Sequence, residues 1–432
     1  MKNFSRRELI YRAFLGSGAV GLKSMLLGLP VSFLTNRLLA APGDESYLIY
    51  SFDKAGGPIN NNCPATYFNN GNIVHPDKYK NPSSFKLGKV NVKAASPWAY
   101  LDQEIRDHLH FIHHQTRASA HNEAANVLSS GNKIVSPSGF GSEMLPSAIG
   151  QMSSLNVISD FPIAMGGDWN ITSGGTPVSK QSPRVIADKF SPLSEQEVRL
   201  QEFRDNAIDE IYKDVCKNGN IHQKAFCDQY LINWDQARKL ADNLKELLSQ
   251  IEFDDSNKPN LAMAAALIAA NATRVIAIEI PFGGDNHNDD KLSEEEEGLV
   301  TGTDELSFLW NKMKAFGVHD RTTVALQAVF GRTLGPKGNN SGRDHHGKSA
   351  VTVLLGAKIK PGVSGGIKLT GGQSGGNATG IKSSNGASTD SGDIKAVDTL
   401  ASACKTVARA CGISASAINK TIRSGKIIES VI

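Results

Sequence analysis

TRVIAIEIPFGGDNH, Thr273 to His287, is an apolar run that stops at a glycine pair and then offers an acid and an imidazole two residues apart. A short run this apolar reads as a strand over Thr273 to Pro281, buried on both faces as the strands of a parallel sheet are. Glycines and polar residues just past such a strand set side chains at the carboxyl edge of the sheet, where α/β folds hold ligands. Asp285 and His287 are therefore candidate site residues.

Outward from this stretch the pattern recurs. SYLIYSF at Ser46 to Phe52 runs into Asp53 and AGGPINNN, and FPIAM at Phe161 to Met165 reads as another short strand. VALQAVF, within a strand over Thr322 to Phe330, is followed by GRT, and GRDHH at Gly342 to His346 precedes a strand over Ser349 to Leu355. Helical patterns cover Leu261 to Ala272, Thr303 to Phe316, Ile394 to Ala410 and the region around Ala415 to Arg423. Strands alternating with helices at this spacing predict an α/β fold with a largely parallel sheet covered on both faces.

Two further helices are expected. Trp98 to Gln115 is helical in pattern, which sets His108, His110, His113 and His114 along one helix, either as a solvated face or, with His121 and the DHH pair, as an adventitious metal cluster. Ser119 to Leu128 reads as a helix capped by Ser119. The charged, helical segment Pro192 to Ile251, in two parts around KNGN at Lys217 to Asn220, predicts a helical insertion over the sheet, bounded at 192–260. Gly362 to Gly392 holds ten glycines and predicts a mobile surface loop or hairpin.

The N-terminus has a basic start, an apolar stretch from Ala13 to Leu34 broken by Lys23, and small residues at Ala40 and Ala41, so residues 1–41 read as an export signal, with an uncleaved anchor as the alternative. Ser5-Arg6-Arg7 followed by Leu9 and Ile10 resembles the bacterial twin-arginine signal, whose partner is the twin-arginine translocase. A periplasmic, cell-surface or secreted location follows, with no stable membrane span after cleavage. Residues 1–41 carry six basic residues and one acid, so 42–432 holds 40 basic and 42 acidic residues, net −2. That balance has no nucleic-acid footprint. Of the five cysteines, Cys216 and Cys227 flank a turn and make the better disulfide candidate, whereas Cys404 and Cys411 are too far apart along a helix to bond readily.

Carboxylates and neutral imidazoles are common ligands of zinc and similar divalent ions. Asp53, Asp285, His287, Asp344, His345 and His346 are the candidate metal ligands, with zinc expected and calcium or magnesium as alternatives. HHQTRASAHNEAANVL places Thr116, Arg117, Ser119 and His121 at a helix start. Thr116 or Ser119 is a candidate nucleophile there, although Ser119 as a simple cap is the more ordinary reading. Arg117 or Arg343 is a candidate anion binder.

VFGRT at Val329 to Thr333, GRDHH, and VLLGAKIKPG at Val353 to Gly362 resemble the exported bacterial proteins of the domain of unknown function 1501 family, and GGDNH at Gly283 to His287 is similar to that family's strand-Gly-Gly-Asp-x-His element. The family looks like part of the alkaline-phosphatase and sulfatase superfamily. The resemblance implies an alkaline-phosphatase-like sandwich of helices around a mixed, mainly parallel sheet, spanning 42–432, with two divalent ions at its carboxyl edge. It implies Asp344 and His345, joined by Asp53, at one ion, Asp285 and His287 at the other, and the nucleophile near Thr116 or Ser119. The chain has no histidine after His346, so His346 or His121 is left to replace the superfamily's last histidine ligand. The implied activity is metal-dependent hydrolysis of phosphate or sulfate esters, with a small anionic ester as substrate. The alternative is a non-catalytic exported binding or assembly protein on a degenerate hydrolase scaffold.

Overall fold

The computed structural model describes residues 45–68, 71–137, 141–155, 161–190, 246–335 and 342–432, with isolated positions between these stretches. The expected export signal at residues 1–41, Cys216, Cys227 and most of the expected helical insertion lie outside the described residues.

Seven strands form the central sheet: β1 (Tyr47–Asp53), β2 (Leu109–His114), β3 (Ile163–Ala164), β4 (Val275–Ile278), β5 (Thr322–Ala328), β6 (Ala350–Gly356) and β7 (Gly362–Ser364). Their order across the sheet is β7-β2-β6-β5-β1-β4-β3. All neighbours pair in parallel except β6, which runs antiparallel to both β2 and β5. The fold is α/β with a mixed, mainly parallel sheet.

Every residue of β1, β2, β4, β5 and β6 is buried, which explains their apolar composition. Because side chains alternate across a strand, each strand feeds two cores. Ile49, Phe111, Ile276, Val324 and Val353 enter one, with α2 (Lys258–Ala269) and α3 (Ser293–Ala315) packed over it. Leu48, Ile112, Ala277, Ala325 and Leu354 enter the other, beneath α1 (Leu145–Met152), α4 (Thr399–Ala410) and α5 (Ala415–Thr421). A fully buried Ile or Leu contributes about 1.5–3 kcal/mol, so these alternating rows hold the sheet between its helical layers.

Several elements differ from the sequence expectation. Trp98 to Gln115 is not one helix: Ser96–Tyr100 and Gln103–Arg106 are short helical turns, and LHFIHH is strand β2. Pairing with β6 and β7 satisfies its backbone and buries Leu109 and Phe111, which overrides a local helical pattern. His110, His113 and His114 are therefore core residues, and burial pushes His110 and His113 down to about 4 and His114 to about 3. Ser119 to Leu128 is a 3-10 turn, His121–Glu123, leading into the five-residue helix Ala124–Leu128. Helix α3 starts ten residues before Thr303, since Glu294, Glu295 and Glu296 in its first turn suit the positive end of the helix dipole. Within the glycine-rich stretch, Ile367–Gly371 and Gly375–Ala378 pair as a hairpin. No helix among the described residues is long and apolar enough to cross a membrane.

Candidate metal centre

The reversed strand β6 decides the site. Because it alone runs against the others, its leading residues lie at the sheet edge where β1, β2, β4 and β5 end. The loops after those four strands therefore meet the GRDHH segment. Gly331–Arg332 and His345–His346 lock the meeting with a short antiparallel ladder in which Arg332 faces His345.

His121, Asp285 and His345 each bring one ligating atom within 4.8 Å of the other two. His121 Nε2 lies 3.2 Å from Asp285 Oδ2, and His287 Nε2 lies 3.3 Å from Asp285 Oδ1. His345 Nε2 is 4.0 Å from the same Oδ1 and 2.9 Å from His287 Nε2. The Asp285 side chain is 45% exposed, so the cluster opens to solvent. The ring of Phe330 stacks on His345 with centroids 4.0 Å apart and forms an apolar wall.

All three imidazoles are oriented through their other nitrogen. His121 Nδ1 donates to Lys54 O at 2.9 Å, His345 Nδ1 to Ser119 O at 2.7 Å, and His287 Nδ1 to Asp344 Oδ1 at 3.0 Å. Carbonyl and carboxylate oxygens only accept, so a ring that binds a cation through Nε2 keeps its proton on Nδ1 in these bonds. Histidines that bind metals are oriented by such outer partners.

Cationic side chains brace the acids. Arg332 is fully buried and donates to Gly56 O at 2.6 Å, Ala55 O at 2.7 Å and Asp285 Oδ1 at 2.8 Å. Partial burial pushes the Asp285 carboxyl up, but the bond from Arg332 and the charges of Arg332 and His287 outweigh it and hold it below the usual range. Asp344 behaves alike: desolvation raises it, and Lys337, Gln373 and His287 bring it down. Lys337 Nζ sits 3.0 Å from Asp344 Oδ1, and Gln373 donates to the other oxygen. Desolvation lowers the His345 pKa, which favours its neutral, ligating form.

Of the residues singled out from sequence, Asp285, His287, Asp344 and His345 come together here, Asp344 as the outer partner of His287. His121, considered as a substitute ligand, is part of the cluster. Asp53 has no hydrogen bond to the cluster residues: its buried carboxylate accepts the N–H groups of Gly56, at 3.0 Å, and Gly57, and it feels the charge of Arg332. A Cβ on Gly57 would lie 2.6 Å from that carboxylate, so this tight turn needs glycine. His346 points the other way and donates from Nε2 to Gly376 O at 2.9 Å. Alternate residues of a strand face opposite sides, so His345 and His346 cannot both face one ion.

Thr116 is buried and accepts the Ala118 N–H through its hydroxyl, while the Ser119 hydroxyl donates to Glu123 Oε1 at 3.1 Å. Ser119 reaches the cluster through its carbonyl. Arg343, expected among the anion binders, is buried in a bidentate pair with Glu295, at 2.5 and 3.0 Å. Arg117 is exposed, with left-handed backbone at φ 62°. Sequence reasoning assigned no role to Arg332, Lys337 or Gln373. For Arg332 a signal was available, since an arginine directly after Phe330-Gly331, just past a strand, sits where the other site residues do.

The model of the family described as "Protein of unknown function (DUF1501)" matches residues 233–375, a span that holds Asp285, His287, Arg332, Asp344 and His345 but not His121. No curated protein matches the chain. Among solved structures, Ps i-CgsB in complex with k-i-k-neocarrahexaose is similar at 10% identity and TM-score 0.36, over 89% of this chain and 75% of that one. The lipoteichoic acid synthase LtaP from Listeria monocytogenes is similar at 9% identity and TM-score 0.30, over 88% of this chain and 93% of that one. Scores this low leave the activity to be argued from the residues themselves.

Proposed function

We propose that the chain is an exported, metal-dependent hydrolase of phosphate or sulfate esters, built around one divalent cation held by His121, Asp285, His287 and His345. The observation that carries this reading is the convergence of three Nδ1-anchored imidazoles on one carboxylate. A nitrogen-rich donor set suits zinc, whereas calcium takes oxygen ligands and magnesium prefers oxygen in octahedral geometry.

Charge supports an anionic substrate. Arg332 and Lys337 balance Asp285 and Asp344, so a bound divalent ion leaves the cluster with a net positive charge that favours anions. The cation, when bound, supplies Lewis-acid polarisation of an ester oxygen and acidifies water. The chain orients its imidazoles through Lys54 O, Ser119 O and Asp344, and fixes Asp285 through Arg332. Neither the Thr116 nor the Ser119 hydroxyl bonds to the cluster, so we assign the nucleophile to water rather than to a side chain. The engagement of the Asp53 carboxylate by the Gly56 and Gly57 N–H groups favours one ion over the two that the family resemblance implies.

The same engagement of Thr116 and Ser119 favours a second reading, a non-catalytic exported protein that binds metal and anions on a degenerate scaffold. Metal analysis and turnover of 4-nitrophenyl phosphate and 4-nitrophenyl sulfate separate the two. One cation per chain with turnover of either ester supports the hydrolase. One cation with no turnover of either supports the binding protein, and a folded chain that takes up no metal from zinc, manganese or calcium buffers sinks both.

A further inference from the structure

Beside the cluster lies a cavity of about 390 Å³ lined by Arg117, Ser119, His346, Lys348, Ser374 and Asn377, among others. Two cations and no carboxylate line it. Arg117 and Lys348 are both exposed, and neither has an ion-pair partner among the described residues. Glu123 stands behind Ser119, accepting from its N–H at 2.8 Å and its hydroxyl at 3.1 Å, and is not part of the lining. The cavity therefore carries positive charge with hydroxyl and amide groups around it.

Its walls are continuous with the cluster. Ser119 accepts the His345 Nδ1–H, His346 follows His345 directly, and Ser374 follows Gln373, which donates to Asp344. The floor is tight: the Arg117 N–H donates to Gly347 O at 2.6 Å, and a Cβ on Gly347 would lie 2.2 Å from Ala118 O. That close approach places Arg117 and Lys348 on neighbouring chain segments at one mouth.

We propose that this cavity is a subsite for a second anionic group of the substrate, so that the preferred ester carries two tetrahedral oxyanions, one at the cation cluster and one between Arg117 and Lys348. The proposal rests on the reading of His121, Asp285, His287 and His345 as a cation centre. An arginine fork and a lysine ammonium together suit phosphate or sulfate, whose oxygens accept several charged donors at once.

The test uses the full zinc-loaded protein and calorimetric titration with matched ligands: fructose 1,6-bisphosphate against fructose 6-phosphate, and glucosamine 2,6-disulfate against glucosamine 6-sulfate. The doubly charged member of at least one pair should bind tenfold or more tighter, and the pair with the larger gap identifies phosphate or sulfate. The R117A/K348A variant alters two exposed side chains. It should keep its cation while losing the gap. Equal affinity within both pairs, or a gap that survives in R117A/K348A, overturns the subsite. Metal content reports separately on the cation centre: D285N should lose the ion and hold both members of each pair equally weakly, through the cavity alone.

Discussion

His287 Nε2 and His345 Nε2 lie 2.9 Å apart, and each ring already donates its Nδ1 proton elsewhere, to Asp344 and to Ser119 O. Two lone pairs at that distance repel unless a proton or a metal cation stands between or beside them. Asp285 next to both supplies the negative charge that favours a cation there. This contact supports the proposal that the cluster holds a cation.

Replacing Asp285 with Asn should therefore abolish cation binding while the chain still folds, since Asp285 is half exposed and outside both cores, and Arg332 keeps its bonds to Gly56 O and Ala55 O. Metal content per chain after dialysis against zinc, read beside an unchanged circular dichroism spectrum, checks this. D344N should weaken binding by about 10–100-fold rather than abolish it, because Asp344 acts through His287.

Arg332 has a fork that three acceptors use at once. R332M should lower stability by about 2–4 kcal/mol, because the Gly56 and Ala55 carbonyls lose their donors, each worth about 1–3 kcal/mol. R332K should not restore it, since an ammonium cannot span the same geometry. Chemical denaturation of the three proteins gives the comparison.

The Glu295–Arg343 pair is a control distant in role from the cluster, with both side chains about 1% exposed. E295Q should cost about 3–5 kcal/mol by leaving a buried guanidinium without its counter-charge. Protein that does fold should retain its cation, whereas loss of metal in a folded E295Q would show that the pair shapes the site.

Stability should fall as pH drops from about 6.5 towards 4. His110, His113 and His114 are buried neutral, with folded pKa values of about 4, 4 and 3 against 6.5 for an exposed imidazole. Below 6.5 the unfolded chain takes up protons that the folded chain refuses, so the folded state loses ground until the folded values are reached. H113Q should flatten the melting temperature against pH over this window, even where it lowers the melting temperature throughout. A slope unchanged in H113Q would remove this histidine from the explanation.

The proposed export is tested on residues 1–41. Protein made with its native N-terminus should be found in the periplasm beginning near residue 42, and R6K/R7K should hold it in the cytoplasm, as a receptor-read signal requires. Fractionation with N-terminal mass spectrometry shows which occurs.

The strands were legible in the sequence because burial on both faces forces near-continuous apolar runs: SYLIYSF, TRVIAIEIPF and the run before VFGRT each read as what they are. LHFIHH was not legible, because its histidines look solvated until the neighbouring strands bury them. Asp285, His287, Asp344 and His345 could be singled out as residue types beside strand ends. The division into two ion sites could not be checked that way, and the geometry places the four residues in one cluster with His121.

Residue type and position after apolar runs marked in advance which side chains could carry metal chemistry at the ends of buried strands. How they combine depends on strand pairing. The reversal of β6 carries Asp344 and His345 to the edge where the parallel strands end, because pairing direction depends on partners far away in the chain. Asp53, equally well placed by sequence, is drawn off by the N–H groups of Gly56 and Gly57, since a buried carboxylate takes the nearest donors that offset its desolvation.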